Sequence, residues 1–538
     1  MRGSHSLGVR ELPRGGFQNE LTLDRLVKLK HEEEFHKNYE EAYAKALTEL
    51  GKSYPNIVAG QERFSKEGEF LDTCPYATTE ILGKFQKGTR EDVSSAVKDS
   101  LASQPQWEAT KVMHRCYTFT TAADIMSKRK YEFAAWLTLE NGKNRYEAMA
   151  EVDEAIDYLR YYPSLLQTNK GYVLETEGMP PCDKAQSVLR PLGVVGVISP
   201  FNFPIAITTG MVTGALVTGN AVILKPASDT PLMGYMLFNV LKEAGVPTDV
   251  MHFITGPGET VGAELVSNKG IASIVFTGSK EVGHSIVKAS LENGKRLPIL
   301  EMGGKNPAIV TDKADLDLAA EGIGRAAFGY SGQKCSATSR AIVQRSVADE
   351  FTKKLLTWLK DRRIGDPSKK ETFMGPIING AAVERFSNVI TAAAKDGQVL
   401  TGGHVLESEP YAKGHFVEPT VLVHLARNHE LVLKELFLPV LIILTCSDLN
   451  EALNIANSVE YGLTAGVYSE DPKEVQEFFT RIQAGVIYAN RRAGATTGAL
   501  VGAQSFTGWK SSGVTGKGTG GPYYLLQFLQ EQSRTVCE

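Results

Sequence analysis

The chain has 538 residues, 42% of them hydrophobic and 22% charged, with a formal net charge of −4. That is enough for two or three domains with sizeable cores and an ordinary soluble composition. The small negative charge argues against a dedicated nucleic-acid binder, and no apolar run of about 18 residues predicts a membrane span.

In chain order, residues 1–6 read as a tag leader, and neither a secretory apolar core nor an Arg-rich transit pattern follows. Residues 22–50 carry a charged helical pattern that predicts a solvated arm. The stretch 91–167 reads as two long helices, and 168–192 is polar and strand-like. From 193 the texture changes. Gly193–Ser199 is a β-branched run suited to a strand buried on both faces. A helix at 205–217, a strand at 221–224, a helix at 231–243 and strands at 251–254 and 271–276 continue the rhythm. Strands alternating with helices predict an α/β doubly wound domain. A second α/β region starts near Asn306–Thr311 and runs through Arg340–Gln344, a helix at 348–360 and Leu441–Thr445. Residues 484–506 are Gly-rich with strand character.

Six scattered cysteines (Cys74, Cys116, Cys182, Cys335, Cys446, Cys537) lack any CxxC pair. They do not read as a disulfide framework, so a reducing, cytoplasmic setting is the expectation, or the mitochondrial matrix for a eukaryotic source.

Four constellations carry chemistry. Gly332-Gln333-Lys334-Cys335-Ser336 sets a cysteine after a turn, near the expected start of a helix, where backbone N–H groups favour thiolate. Taken alone, such a cysteine is more often structural. Glu301-Met-Gly-Gly-Lys-Asn306 follows a strand, and its carboxylate can serve as a general base. Ser199-Pro200-Phe201-Asn202-Phe203-Pro204 lies at the carboxyl end of the first α/β strand, where an Asn amide can stabilise an oxyanion. Lys225-Pro-Ala-Ser228, Gly256–Gly262 and Phe276-Thr277-Gly278-Ser279 close the next strands. The middle one, with Gly258 at its centre, approximates GxGxxG with one residue too many. His31 and His36 stand five apart, which fails the HExxH zinc spacing, and no metal site is expected.

These motifs, with Glu435-Leu-Phe437 and Phe506-x-Gly-x-Lys-x-Ser-Gly, occur in the order found in the aldehyde dehydrogenase superfamily, which the chain resembles from about residue 55 onward. The resemblance implies a Rossmann-type NAD-binding domain (55–167 and 193–303), an α/β catalytic domain (304–483) and a β oligomerisation arm (168–192 and 484–503). Residues 1–54 would then be an N-terminal helical arm and 504–538 a return segment. It implies that Cys335 attacks an aldehyde, that Asn202 holds the oxyanion and that Glu301 activates the hydrolytic water. Ser199, Pro200, Phe201, Lys225, Ser228, Gly258, Thr277, Gly278, Ser279, Glu435 and Phe437 would face NAD. Ser228 stands where many members have Glu, which leaves room for NADP, and Leu438 and Thr507 replace usual glycines.

Glu140-Asn-Gly-Lys143, Tyr161-Tyr162, Cys335-Ser336-Ala337, Thr497–Gly502 and Gly520–Leu526 resemble the 1-pyrroline-5-carboxylate dehydrogenase branch. That branch oxidises L-glutamate γ-semialdehyde to glutamate. It implies that Ser336 with the Gly498 and Ala499 amides anchors the carboxylate, Glu140 meets the ammonium, and Phe201 and Phe506 flank the stem. The segment 493–496 looks about three residues longer than is usual there. A homodimer or dimer-based oligomer is implied. The rival readings are a non-acylating aldehyde dehydrogenase for other aldehydes, such as succinate semialdehyde, a thiol hydrolase using Cys335 without a nicotinamide, and a non-enzymatic relative that has kept the fold.

Overall fold

A computed structural model of the chain describes residues 17–180, 182, 184–494 and 500–537. Two seven-stranded sheets organise it. The first runs in the order Ile299–Glu301, Ser273–Thr277, Val194–Ile198, Ala221–Lys225, Met251–Phe253, Asn56–Val58, Gln61–Arg63. The first five of these are parallel, and the last two add antiparallel. The chain steps outward from Val194–Ile198 in one direction, then crosses back to place Ser273–Thr277 on its other side. Strand order therefore reverses beside Val194–Ile198, and ligands bind outside the carboxyl ends of the strands at such a point. Ala221–Lys225 and Ser273–Thr277 are buried along their whole length, as the β-branched runs require of a sheet covered on both faces.

The second sheet runs Gln398–Thr401, Thr420–Val423, Val440–Cys446, Thr338–Gln344, Asn306–Val310, Thr464–Tyr468, Val486–Ala489, parallel except at its first pair. Successive side chains alternate between its two cores. Ala308 and Val310 pack with Ile323 and Phe351 on one face, while Ile309 packs with Phe386, Leu453 and Phe478 on the other.

Several expectations change. The stretch 91–167 forms four helices, Arg90–Ala109, Val112–Lys128, Lys130–Asn141 and Arg145–Thr168. Short breaks divide them, the last at Gly142 with φ +75°. The charged helix Glu32–Leu47 is no solvated arm, because Phe35 and Tyr39 are fully buried on one face of it. Of the segment 484–503, Val486–Ala489 is the parallel edge strand of the second sheet, reached through helix Pro472–Arg481, and residues 495–499 lie outside the described residues. The arm is instead an antiparallel sheet of Val173–Thr176, Lys184–Pro191 and the C-terminal strand Leu529–Val536. Cys182 and Cys537, expected to be free thiols, form a disulfide that ties the far end of this sheet. No described helix is long and apolar enough to cross a membrane.

Candidate active site

Loops at the carboxyl ends of the first sheet face the turn that precedes Thr338–Gln344 in the second. Cys335 sits in that turn, after the 3-10 segment Gly329–Gly332, and a strand rather than a helix follows it. The expected helix dipole is therefore absent. Burial pushes the Cys335 thiol well above its ordinary value, the Glu435 and Glu301 carboxylates push the same way, and the Ser336 and Cys335 backbone N–H groups favour thiolate. Gly332 has φ +67°, and a Cβ there would lie 2.3 Å from the Leu438 carbonyl oxygen. The Gly in Gly-Gln-x-Cys is thus required by close backbone approach. Leu438 itself turns into the second-sheet core, after Phe437 at φ +57°.

Asn202 is buried and its Nδ2 donates to the Gln333 carbonyl at 3.1 Å, directly beside the Cys335 loop. Its own backbone oxygen accepts from Lys143 Nζ, which also pairs with Glu151. Glu301 ends its strand and bridges to Gly513. Its Oε2 is buried without a hydrogen-bond partner, and burial holds its carboxyl well above the usual carboxylate range. Glu435 approaches through the paired glycines: the Gly304 N–H donates to Oε1 at 3.0 Å, and a Cβ on Gly303 would lie 1.9 Å from Oε2. Burial raises Glu435 to about 7.

The cofactor-side residues line the strand ends at the switch point. The Ser199 N–H donates to the Lys225 carbonyl at 3.1 Å, with Pro200 buried after it. Lys225 Nζ is buried against the Pro226 carbonyl at 3.1 Å rather than a carboxylate, and burial lowers it to about 8. Ser228 is exposed beyond it. Gly258, exposed, opens the helical turn Gly258–Gly262, and a Cβ there would meet nothing within 4 Å. Thr277 is buried, Gly278 follows, and Ser279 caps helix Lys280–Glu292. A buried lysine held on the Pro226 carbonyl, the open space over Gly258 and the Glu435 carboxylate together suit the hydroxyls and phosphates of a dinucleotide. Among the described residues no cluster of three or more His, Cys, Asp or Glu is placed to hold a metal.

For two residues expected at the substrate, the structure shows other partners. Glu140 is fully buried, and its carboxylate accepts from the Leu232 and Met233 N–H groups at the start of helix Pro231–Glu243, with Asp72 beside it. It caps that helix from within the core. Phe201 packs edge-on against Phe437 at 5.7 Å. The aromatic on the other side is Phe203, 6.5 Å from Tyr330 and capped by Lys143 Nζ at 3.8 Å. Phe203 lines a cleft of about 460 Å³ together with Lys143, Glu147, Glu151, Lys334 and Phe373. Glu147 pairs with Lys334 at 2.8 Å there. Sequence reading passed over Lys143, Glu151 and Phe203. The spacing of Glu147 and Glu151 on one helical face was the available signal. Ser336 is buried next to Cys335, and Phe506 is buried in the core that Cys335 packs against. Gly498 and Ala499 lie outside the described residues.

Tyr162 and Tyr524, from two distant motifs, stack at 5.4 Å, and the Gly520 N–H donates to Tyr162 Oη at 3.0 Å. The Gly502 N–H in turn donates to the Gly520 carbonyl at 2.9 Å, so helix Arg145–Thr168 supports the loop that begins at Leu500.

The profile of the aldehyde dehydrogenase family matches residues 64–534. A 1-pyrroline-5-carboxylate dehydrogenase of Geobacillus sp. (strain WCH70) is 39% identical over 508 residues, 93% of this chain and 96% of that protein. A crystal structure of 1-pyrroline-5-carboxylate dehydrogenase from Thermus with bound NAD superposes with a TM-score of 0.91 at 34% identity, covering 98% of this chain and 100% of the other. Proline utilization A from Bdellovibrio bacteriovorus, inactivated by N-propargylglycine, matches with the same TM-score of 0.91 at 34% identity. That match covers 98% of this chain and 54% of the other, so this chain spans about half the length of that protein. The chain belongs to the aldehyde dehydrogenase family.

Proposed function

We propose that this protein is an NAD-dependent dehydrogenase that oxidises L-glutamate γ-semialdehyde, the open form of 1-pyrroline-5-carboxylate, to L-glutamate. The observation that carries the reading is the convergence of Cys335, the Asn202 amide and the Glu301 carboxylate at the junction of the two sheets. The relatives named for this activity, matched over nearly the whole chain, support the substrate.

NAD, when bound, supplies the hydride acceptor; Lys225, Ser228 and Glu435 would hold its riboses. Cys335 gives up its thiol proton to solvent and adds through its sulfur to the aldehyde carbon. The oxyanion so formed is held by Asn202 Nδ2 and the Cys335 N–H, donors fixed before the reaction begins. Oxidation leaves a thioester on Cys335. Glu301, after losing its proton, takes one from water, and the hydroxide displaces the thiolate to release the acid. The exposed Ser228 carries no charge to repel a 2′-phosphate, which leaves room for NADP. The sheet of Val173–Thr176, Lys184–Pro191 and Leu529–Val536, with Val173, Leu174 and Val536 exposed, is the contact between copies in a homo-oligomer.

Steady-state NADH formation with L-glutamate γ-semialdehyde, set against simple and acidic aldehydes, tests the reading. The expected kcat/KM is at least about a hundredfold higher for the amino-acid aldehyde, roughly 2.7 kcal/mol of transition-state preference. Equal values across the panel would reduce the protein to a general aldehyde dehydrogenase.

A further inference from the structure

The mechanism uses the Cys335 thiol and its neighbouring N–H groups, yet leaves open what orients that turn. Asn306, the first residue of strand Asn306–Val310, reaches it from below. Its Nδ2 donates to the Cys335 carbonyl at 2.6 Å and to the Ala337 carbonyl at 2.9 Å. Its Oδ1 accepts from the Thr464 N–H at 3.0 Å, and Thr464 Oγ1 donates to the Ser336 carbonyl at 3.3 Å. Three consecutive carbonyls, 335 to 337, are thus held by two side chains of the second sheet. Gly304 keeps the approach clear, since a Cβ there would lie 2.8 Å from the Cys335 oxygen and 2.5 Å from Asn306 Oδ1.

A trans peptide is planar, with its C=O and N–H on opposite edges. Pinning the Cys335 oxygen therefore aims the Ser336 N–H the other way, to the side of the Cys335 sulfur, where it favours the thiolate. Hydrogen bonding to the oxygen also polarises the N–H of the same peptide. We propose that Asn306 is a positioning residue, which turns and polarises the 335–336 peptide so that its N–H supports the Cys335 thiolate. The proposal rests on Cys335 being the nucleophile and is independent of which aldehyde is the substrate.

Two variants remove the donor. Asn306→Asp keeps the shape and the acceptor for Thr464 but cannot donate to the carbonyls, and Asn306→Ala removes the amide without adding charge. Two rates are read at pH 7 and across pH: alkylation of Cys335 by iodoacetamide, followed on its peptide by mass spectrometry, and the NADH burst with saturating aldehyde. Glu301 and Glu435, which also face the sulfur, stay unchanged in both variants. The expected result is alkylation slowed about tenfold, with its pH profile moved to the alkaline side, and a burst slowed about a hundredfold. The thermal midpoint falls by the cost of the carbonyls left unpaired, while NAD affinity stays near wild type. Wild-type alkylation and burst rates in a folded variant would overturn the proposal. Should the alanine variant not fold, the aspartate variant decides on the same rates. Cys335→Ala separates the two readings. If it is inactive beside wild-type rates in the Asn306 variants, positioning alone has failed. If it still turns over, the nucleophile reading has failed, and this proposal with it.

Discussion

The Asn202 side chain donates to the Gln333 backbone carbonyl at 3.1 Å, joining the end of a first-sheet strand to the nucleophile turn of the second sheet. One amide hydrogen is engaged there, and the other remains for the substrate oxygen. Replacing Asn202 by Ala removes the side-chain donor of the oxyanion site. The expected loss in kcat is about a hundredfold to a thousandfold. NAD affinity, read by fluorescence quenching, should change little, and a near-wild-type burst would place the oxyanion elsewhere.

Burial raises both Glu301 and Cys335, and each must lose its proton to act. Activity should therefore climb with pH through the neutral range and fall as acid protonates either group. Glu301→Gln should give a burst of about one NADH per site followed by little turnover, because the thioester forms but water is no longer activated. Steady turnover without a burst would assign hydrolysis to another base.

Glu140 is a structural group, and burial raises its carboxyl to about 8. A carboxyl whose folded value lies above its unfolded one favours the fold while protonated, and that contribution is lost as pH rises through the folded value. Wild-type stability should therefore decline relative to Glu140→Gln between about pH 4.5 and pH 8. Chemical denaturation at several pH values measures this. KM for the amino-acid aldehyde should not move, and a large rise in KM would return Glu140 to the substrate site.

Ser228 is exposed at the end of Ala221–Lys225. Ser228→Glu should lower kcat/KM for NADP relative to NAD by about tenfold or more, since a carboxylate would face the 2′-phosphate. An unchanged ratio would mean that the adenosine ribose lies away from this residue.

Tyr162 Oη accepts from the Gly520 N–H. Tyr162→Phe leaves that buried amide without its partner, at a cost of about 1–3 kcal/mol. A lower thermal midpoint should accompany a higher KM for the amino-acid aldehyde, because Gly520 supports the loop at 500–506. A lower midpoint with unchanged KM would confine Tyr162 to folding.

Sequence alone determined the α/β class and singled out Cys335, Asn202, Glu301 and Glu435 as candidates, which the fold brings to the junction of the two sheets. Asn202 follows a strand of the first sheet and Glu301 ends one, and glycines at 303, 304 and 332 admit the close neighbours of Glu301, Glu435 and Cys335. The tertiary structure decided what depends on distant segments meeting. Glu140 and Glu151 both ride on helices, and nothing local distinguishes a carboxylate that caps Pro231–Glu243 from one that faces Lys143. Phe201 and Phe203 flank the same asparagine, yet opposite sides of the loop send one to Phe437 and the other to the cleft. The sheet of 173–176 and 184–191 closes with residues 529–536 while 486–489 joins the second sheet, and Cys182 meets Cys537 across 355 positions of sequence. Strand partners and disulfide partners are chosen by which edges and ends the packed sheets leave side by side, and a linear pattern carries no record of that.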